Sequence, residues 1–292
     1  MKNAKVLKPL LLSAAAIMLV VATMFATMAY LVSSAAVSNV FTVGNVSLLM
    51  YETKVNSNGS PVDPNFNPAT TMKTADTNSY HLQPAVTYKK DPTVYVKADS
   101  DESYLFIRLR NDLKSVEAPN GETIVEQLRT NGWLEIERAD NNVDAIFVYV
   151  GAAQKDSEGK DTTLAALYNA AAAEVNVPAN AGMKHSERTK AILTKLADIK
   201  AKPVGNTKDT SDYTIVHEPN SNANYQAIDV FHKFAIANDA KLDEFGGARV
   251  AIVAYAIQAN GIGATGAEFS QTSYLEAWRL LQIQLPYGGG VS

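Results

Sequence analysis

The chain has 292 residues, of which 47% are hydrophobic and 19% are charged, and its formal net charge is −4 at pH 7. This composition excludes a wholly disordered chain and allows a sizeable core. The acidic balance disfavours a phosphate-binding basic face, so we predict no nucleic-acid partner. The absence of cysteine excludes disulfides, thiolate catalysis and cysteine-ligated metal sites.

Residues 1–29 have the pattern of an export signal. An apolar stretch, Leu10–Phe25, follows three lysines, and small residues precede a predicted cleavage site between Ala29 and Tyr30. An uncleaved anchor is the alternative, because the stretch without charges extends to Glu52 and is long enough to span a bilayer. We therefore predict contact with the membrane only before cleavage, and a mature domain of residues 30–292.

The first part of the mature chain has the residue composition of a β-strand. Valines recur among Ser, Asn and Thr between residues 37 and 50, which predicts a first strand. Residues 53–79 are rich in Asn, Pro, Ser and Thr without an apolar period, and predict a long exposed loop. Alternating runs at 93–97 and 105–110, on either side of the polar turn 99–103, predict a hairpin with one buried face.

Three acidic residues in that polar turn are weak candidates for holding calcium: Asp99, Asp101 and Glu102. The turn lacks the glycine and the distal glutamate of an EF-hand, so a solvated turn is the favoured interpretation. We predict no metal site and no cofactor.

In the middle of the chain, the spacing of apolar residues changes from that of strands to that of helices. Two short strands, 133–137 and 143–150, precede two helix candidates at 161–175 and 186–200. We interpret residues 151–211 as a helical insertion within one sandwich rather than as a separate domain. Strand patterns return at 212–217, 227–237 and 248–258.

The chain is predicted to end with a closing helix. This helix covers residues 268–285, with Ser273 and Glu276 as a capping box, and residues 286–292 form a flexible tail.

Five separated stretches share one resemblance: Thr27–Tyr30, Asn39–Leu48, Leu82–Val94, the run Val250–Ala259 that contains Ala-Tyr-Ala-Ile-Gln, and Glu276–Trp278. Together they resemble the TasA/camelysin family, Gram-positive exported proteins that a SipW-type signal peptidase processes. The chain has Pro84-Ala85 where the family more often has Pro-Gly, a departure that concerns only the type of turn. The helical insertion shows no such resemblance.

The resemblance implies a mainly β fold, a jelly-roll or β-sandwich with a helical insertion and a C-terminal helix. It also implies a secreted structural subunit that polymerises into extracellular biofilm matrix fibres, in the matrix or at the cell surface. The implied partners are other copies of the chain, the SipW-type signal peptidase and accessory matrix proteins.

Assembly by strand addition gives the amino terminus a role, because an extended segment can complete the sheet of a neighbouring subunit. We hypothesise that Tyr30–Val43, which is apolar and uncharged, is this donor strand. The residues expected to carry it are Tyr30, Leu31, Val32, Val37, Val40, Phe41 and Val43. The alternative is an ordinary edge strand of its own domain.

No catalytic constellation is visible in the sequence, and we predict that the protein is not an enzyme. His217-Glu218 opens like a zinc-peptidase motif, but Pro219 would break the required helix and Ser221 takes the place of the second ligand. Two alternatives stay open: a camelysin-like cell-surface metallopeptidase, and a monomeric surface adhesin or binding sandwich.

Overall fold

The computed structural model describes residues 39–43, 45–118, 122–206, 213–219, 221, 223–243, 245–262 and 269–284. The predicted export signal and the predicted flexible tail lie outside these ranges. The described chain is mainly β, with helices grouped in its middle and at its end.

Two sheets form the centre of the molecule. The five-stranded sheet has the order β1 (Asn39–Val43), β13 (Val250–Gln258), β5 (Ser103–Asn111), β7 (Asp144–Tyr149) and β6 (Trp133–Arg138). The four-stranded sheet has the order β10 (Thr214–His217), β11 (Asn224–Asp229), β4 (Thr93–Lys97) and β2 (Leu48–Tyr51). Two small ribbons pair β3 (Thr87–Lys89) with β12 (Lys233–Ala235), and β8 (Ala153–Lys155) with β9 (Asp161–Thr163).

Four α-helices accompany the sheets in the described ranges: α1 (Ile124–Thr130), α2 (Leu164–Val175), α3 (His185–Lys195) and α4 (Gln271–Gln284). Short 3₁₀ turns occur at Lys114–Val116 and Pro178–Asn180. Helix α1 begins with a capping box, in which Thr123 and Glu126 satisfy each other's backbone N–H groups.

The first hydrophobic core lies between the two sheets. Alternate residues of β5, Leu105, Ile107 and Leu109, meet Val94 and Val96 of β4 there, and all five are buried. Because each sheet turns one apolar face to the other, the two sheets form a β-sandwich.

A second core covers the opposite face of the five-stranded sheet. Tyr104 and Phe106 of β5 contribute to it together with apolar residues of α2, α3 and α4, among them Leu164, Ile192 and Trp278. The five-stranded sheet is therefore buried on both faces, and the molecule has three layers. The predicted mainly β sandwich with a helical insertion and a C-terminal helix is confirmed.

The predicted hairpin of β4 and β5 is wrong. Strand β4 pairs with β2 and β11, whereas β5 pairs with β13 and β7, so the turn between them carries the chain from one sheet to the other. The expectation of a single buried face also fails on β5, because Phe106 is fully buried beneath the helical layer. A strand covered on both faces loses the alternation that identifies a half-buried one.

Two further predictions are corrected at element ends. The run 227–237 contains two strands of different sheets, β11 and β12, with Val230 and Phe231 buried at the bend between them. Helix α4 begins at Gln271, two residues before the predicted capping residue, and Ser270 Oγ accepts the backbone N–H of Ser273 at 3.3 Å. Ser273 therefore lies inside the first turn.

Candidate functional site: the edge of the five-stranded sheet

Strand β13 is built as a strand of the sheet interior. It pairs antiparallel with β5 along its whole length, from Val250 opposite Asn111 to Gln258 opposite Ser103. Ile252 and Ala254 face the sandwich core, and Tyr255 and Ile257 face the helical layer. Such uncharged residues, buried on both faces, are typical of a strand that has a neighbour on each side.

The outer neighbour of β13 is β1, the first described element of the chain. The two strands run parallel, with Asn39 opposite Val253 and Val43 opposite Ile257. All other pairs of described strands are antiparallel. Since β1 and β13 lie near opposite ends of the chain, no hairpin connects them, and within the described chain β1 joins the fold only through the segment that leads to β2.

This position gives β1 a distinctive physical property. Because β1 lies at a sheet edge and pairs only with β13 among the described strands, it can leave without disrupting any other described strand pair. Its departure would uncover the N–H and C=O groups along the outer side of β13, which form a template for another strand.

The predicted donor residues divide into two groups. Val40, Phe41 and Val43 belong to β1, and in the single chain they pair with their own β13. The remaining ones, Tyr30, Leu31, Val32 and Val37, lie outside the described residues, as does the predicted cleavage site between Ala29 and Tyr30. Exchange of this segment between chains stays a prediction.

Residues Lys90–Thr93 belong to Leu82–Val94, one of the stretches that carry the family resemblance. They take part in a buried network of charges with residues elsewhere in the chain. Lys90 Nζ lies 2.9 Å from Glu52 Oε2, and Lys73 Nζ lies 3.2 Å from Asp91 Oδ2. Thr53 donates to Asp91 from both its backbone N–H, at 2.9 Å, and its hydroxyl, at 2.8 Å. Burial alone would raise the pKa of Asp91, but Lys73 and these hydrogen bonds outweigh it and hold the pKa below its usual value.

The same network corrects the prediction of an exposed loop at 53–79. Thr53 and Lys73 are buried in it, and Ala75 forms an isolated bridge to Glu52. The sequence offered little signal for this, because charged residues in a segment rich in Asn and Pro have the composition of a solvated loop. Only partners distant in the chain make their burial possible.

Two other stretches that carry the resemblance meet in space. Tyr255 of β13 and Trp278 of α4 pack edge to face, with ring centroids 5.6 Å apart, and Phe106 lies 5.4 Å from Trp278. These aromatic residues fasten α4 to the five-stranded sheet, so their visible role is in packing.

The candidate metal and catalytic residues are not brought together. Asp99 pairs with Lys97 at 3.1 Å on the surface. Throughout the described ranges, no three His, Cys, Asp or Glu side chains are grouped so that they could hold a metal ion. His217 ends strand β10 and Glu218 follows it, so this stretch has no helical His-Glu-x-x-His geometry.

None of the helices in the described ranges has the length and hydrophobicity needed to cross a bilayer. Comparisons of the chain with models of protein families, with curated proteins and with solved structures find no match.

Proposed function

We propose that this protein is a secreted structural subunit that polymerises into extracellular biofilm matrix fibres, and that its amino-terminal strand joins one subunit to the next. The proposal starts from the resemblance of several stretches to the TasA/camelysin family. The observation that carries it is the position of β1, a strand near the amino terminus that runs parallel to β13 at a sheet edge.

Assembly would proceed by exchange of β1. The strand leaves its own β13 and pairs with β13 of the next subunit. The backbone hydrogen bonds lost within one subunit are then replaced by equivalent bonds between two subunits. The contact is head to tail, because the donor and the acceptor are different surfaces of the chain. Repetition of such a contact generates an open filament when the rotation between subunits does not close a ring.

The energetic cost of releasing β1 is compatible with this mechanism. The β1–β13 ladder spans five residue pairs. Each of its hydrogen bonds contributes about 0.5–1.5 kcal/mol net. The nine pairs between β13 and β5 stay in place, so the acceptor strand remains ordered while its edge is free.

A disulfide lock tests the proposal directly, since the chain contains no native cysteine. Asn39 and Val253 are opposite each other in the ladder. Neighbouring strands lie about 4.8 Å apart, within the span of a disulfide. In the double variant Asn39→Cys/Val253→Cys of the mature chain, oxidation of the monomer should prevent fibres in electron micrographs, and a reductant should restore them. The single variant Asn39→Cys is the matched control and should assemble under both conditions.

A mixing experiment identifies the partner strand. Asn39→Cys and Val253→Cys chains are combined, allowed to assemble and then oxidised; a disulfide that joins the two different chains is expected. Normal fibre growth by the locked double variant would overturn strand exchange. A monomer at every concentration in sizing experiments would indicate the adhesin, and chelator-sensitive proteolysis without filaments would indicate the peptidase.

A further inference from the structure

A cleft of about 360 Å³ lies between the helical insertion and the sandwich. Residues of α1, β6, α2 and α3 contribute to its walls, so it is located where the insertion meets the remainder of the fold. Its volume falls within the range of sites for small molecules.

The walls of this cleft carry an excess of positive charge. Four cations line it, Lys114, Arg129, Arg138 and Arg188, together with His185 and a single carboxylate, Glu135. This local excess contrasts with the acidic balance of the whole chain. An excess of one charge in a partly enclosed site attracts ligands of the opposite charge.

The single carboxylate is already engaged. Arg138 donates to Glu135 from Nε at 2.7 Å and from Nη2 at 2.6 Å, and the hydroxyl of Thr189 donates to it at 2.8 Å. The negative charge of Glu135 is therefore matched by Arg138 in a bidentate pair. Of the other three cations, Arg129 alone forms an ion pair with this carboxylate, at 3.8 Å, and none is described between Glu135 and Lys114 or Arg188.

Arg129 is held in place without forming a close ion pair. Its guanidinium carbon lies 3.7 Å from the centre of the Tyr168 ring. Its Nη2 is 3.8 Å from the nearest oxygen of Glu135, and its buried Nε has no hydrogen-bond partner among the described residues. The Tyr168 ring orients the guanidinium of Arg129, but no carboxylate among the described residues accepts a hydrogen bond from it.

Lys114 lines the cleft near Arg138. It donates to Asn142 Oδ1 at 2.7 Å, a neutral acceptor. Burial and the nearby charge of Arg138 lower the pKa of Lys114 to about 8. Arg188 donates to the backbone carbonyls of Asn180 and Met183, which leave its charge unneutralised.

Two carboxylates outside the lining act on these groups but have other partners. Glu117 accepts the backbone N–H of Ile124 at 3.1 Å. Asp140 accepts the backbone N–H of Ser186 at 3.1 Å and pairs with Lys184 at 3.5 Å. They moderate the positive potential of the cleft without filling it.

We propose that this cleft binds a small molecule that carries an oxyanion, a phosphate or a carboxylate group, and that Arg129 and Lys114 are its main ligands. Such a group supplies a negatively charged hydrogen-bond acceptor, which neither Arg129 nor Lys114 has among the described residues, and offsets the repulsion among the lining charges. This binding site is independent of strand exchange at β1, because β1 and β6 are the strands at the two opposite edges of the five-stranded sheet.

Calorimetric titration of the mature chain at low ionic strength tests the proposal. Inorganic phosphate and succinate are the two probes, and sodium chloride is the reference for non-specific screening. At least one probe should bind, and Arg129→Gln or Lys114→Met should weaken that binding about tenfold or more, as the loss of one charged hydrogen bond implies. Lys195→Gln, a change on the same helix as His185 but outside the cleft, is the matched control and should bind like the original chain.

The results also distinguish the two chemical sources. Binding of phosphate alone identifies a phosphate group, binding of succinate alone a carboxylate, and binding of both an unselective oxyanion site. The proposal is overturned if neither probe exceeds chloride, or if the cleft variants and the control bind equally.

A spectroscopic measurement on the unaltered chain makes the test independent of how the variants fold. The imidazole resonances of His185, assigned with His185→Gln, should move on addition of the binding anion. The other histidines, His81, His217 and His232, do not line the cleft and should stay unchanged. Uniform movement of all four signals would contradict binding at this place.

Discussion

Individual charged residues are buried in this protein where they have partners of the opposite charge. Lys73 pairs with Asp91, and Lys90 pairs with Glu52, with all four side chains almost fully covered. Removing one member of such a pair leaves the other charge buried without compensation, and that cost exceeds the net contribution of the pair itself. These residues are therefore sensitive positions although they do not belong to the apolar core.

Substitution of Asp91 should reveal this sensitivity. Asp91→Asn removes the charge opposite Lys73, whose nearest other carboxylate is Asp229 at 3.7 Å. We expect the free energy of unfolding in urea to fall by about 3–5 kcal/mol. Asp99→Asn is the matched control, because Asp99 pairs with Lys97 on the surface, and it should change stability by about 1 kcal/mol or less. Similar small effects of both changes would contradict the role assigned to Asp91.

The pH dependence of this pair has a defined sign. Because the folded protein holds the pKa of Asp91 below its usual value, the carboxylate contributes stability above the unfolded pKa of about 4. That contribution is lost as the pH falls through the folded pKa. The difference in unfolding free energy between the original chain and Asp91→Asn should therefore shrink in acid, measured by urea titrations from neutral pH downward.

At the scale of elements, Trp278 is one of the buried residues that anchor α4 to the sheet. Trp278 is buried against Phe106 and Tyr255, two residues of adjacent strands. Its indole N–H has no hydrogen-bond partner among the described residues, so its contribution comes from packing. The helix is thereby tied to the same strand, β13, that pairs with β1.

Truncation of this anchor should be costly. Trp278→Ala leaves a cavity in the second core, and we expect a loss of about 3–5 kcal/mol in the free energy of unfolding. Trp278→Phe should cost clearly less, because it keeps much of the packing and removes a buried donor without a partner. Ile283→Ala, at a position that is 68% exposed on the same helix, should change stability by about 0.5 kcal/mol or less. Equal losses for the two tryptophan variants would show that the indole N–H matters.

At the scale of the whole molecule, the helical insertion is a layer of the fold. Residues 151–202, the part of the predicted insertion 151–211 that carries its helices, have adjacent ends: Gly151 approaches Lys202, whose N–H donates to the carbonyl of Tyr149 at 3.0 Å. Its apolar residues share one core with Phe106, Ile146 and other residues of the five-stranded sheet. The insertion can be removed in sequence without separating the flanking strands, but its removal uncovers an apolar face.

Excision of the insertion tests this interdependence. Replacing residues 152–201 by a short Gly-Ser linker should expose the outer face of the five-stranded sheet, since α2 and α3 cover it. We expect binding of a hydrophobic dye and loss of a single cooperative thermal transition. Shortening only the exposed tip of the β8–β9 ribbon at residues 157–159 should leave the transition intact. An excised chain as stable as the original would show that the insertion is an independent unit.

The sequence by itself determined where most strands and helices lie, because side-chain period and turn residues act between near neighbours. It predicted β6, β7, β13 and α4 to within a few residues, and also the mainly β class. Only the tertiary structure decided that β4 and β5 belong to different sheets, that Lys73 and Asp91 are buried together, and that Arg129 and Lys114 line one cleft. These features depend on residues that are far apart in the chain, and burial of a charge is decided by the partner that the fold places beside it.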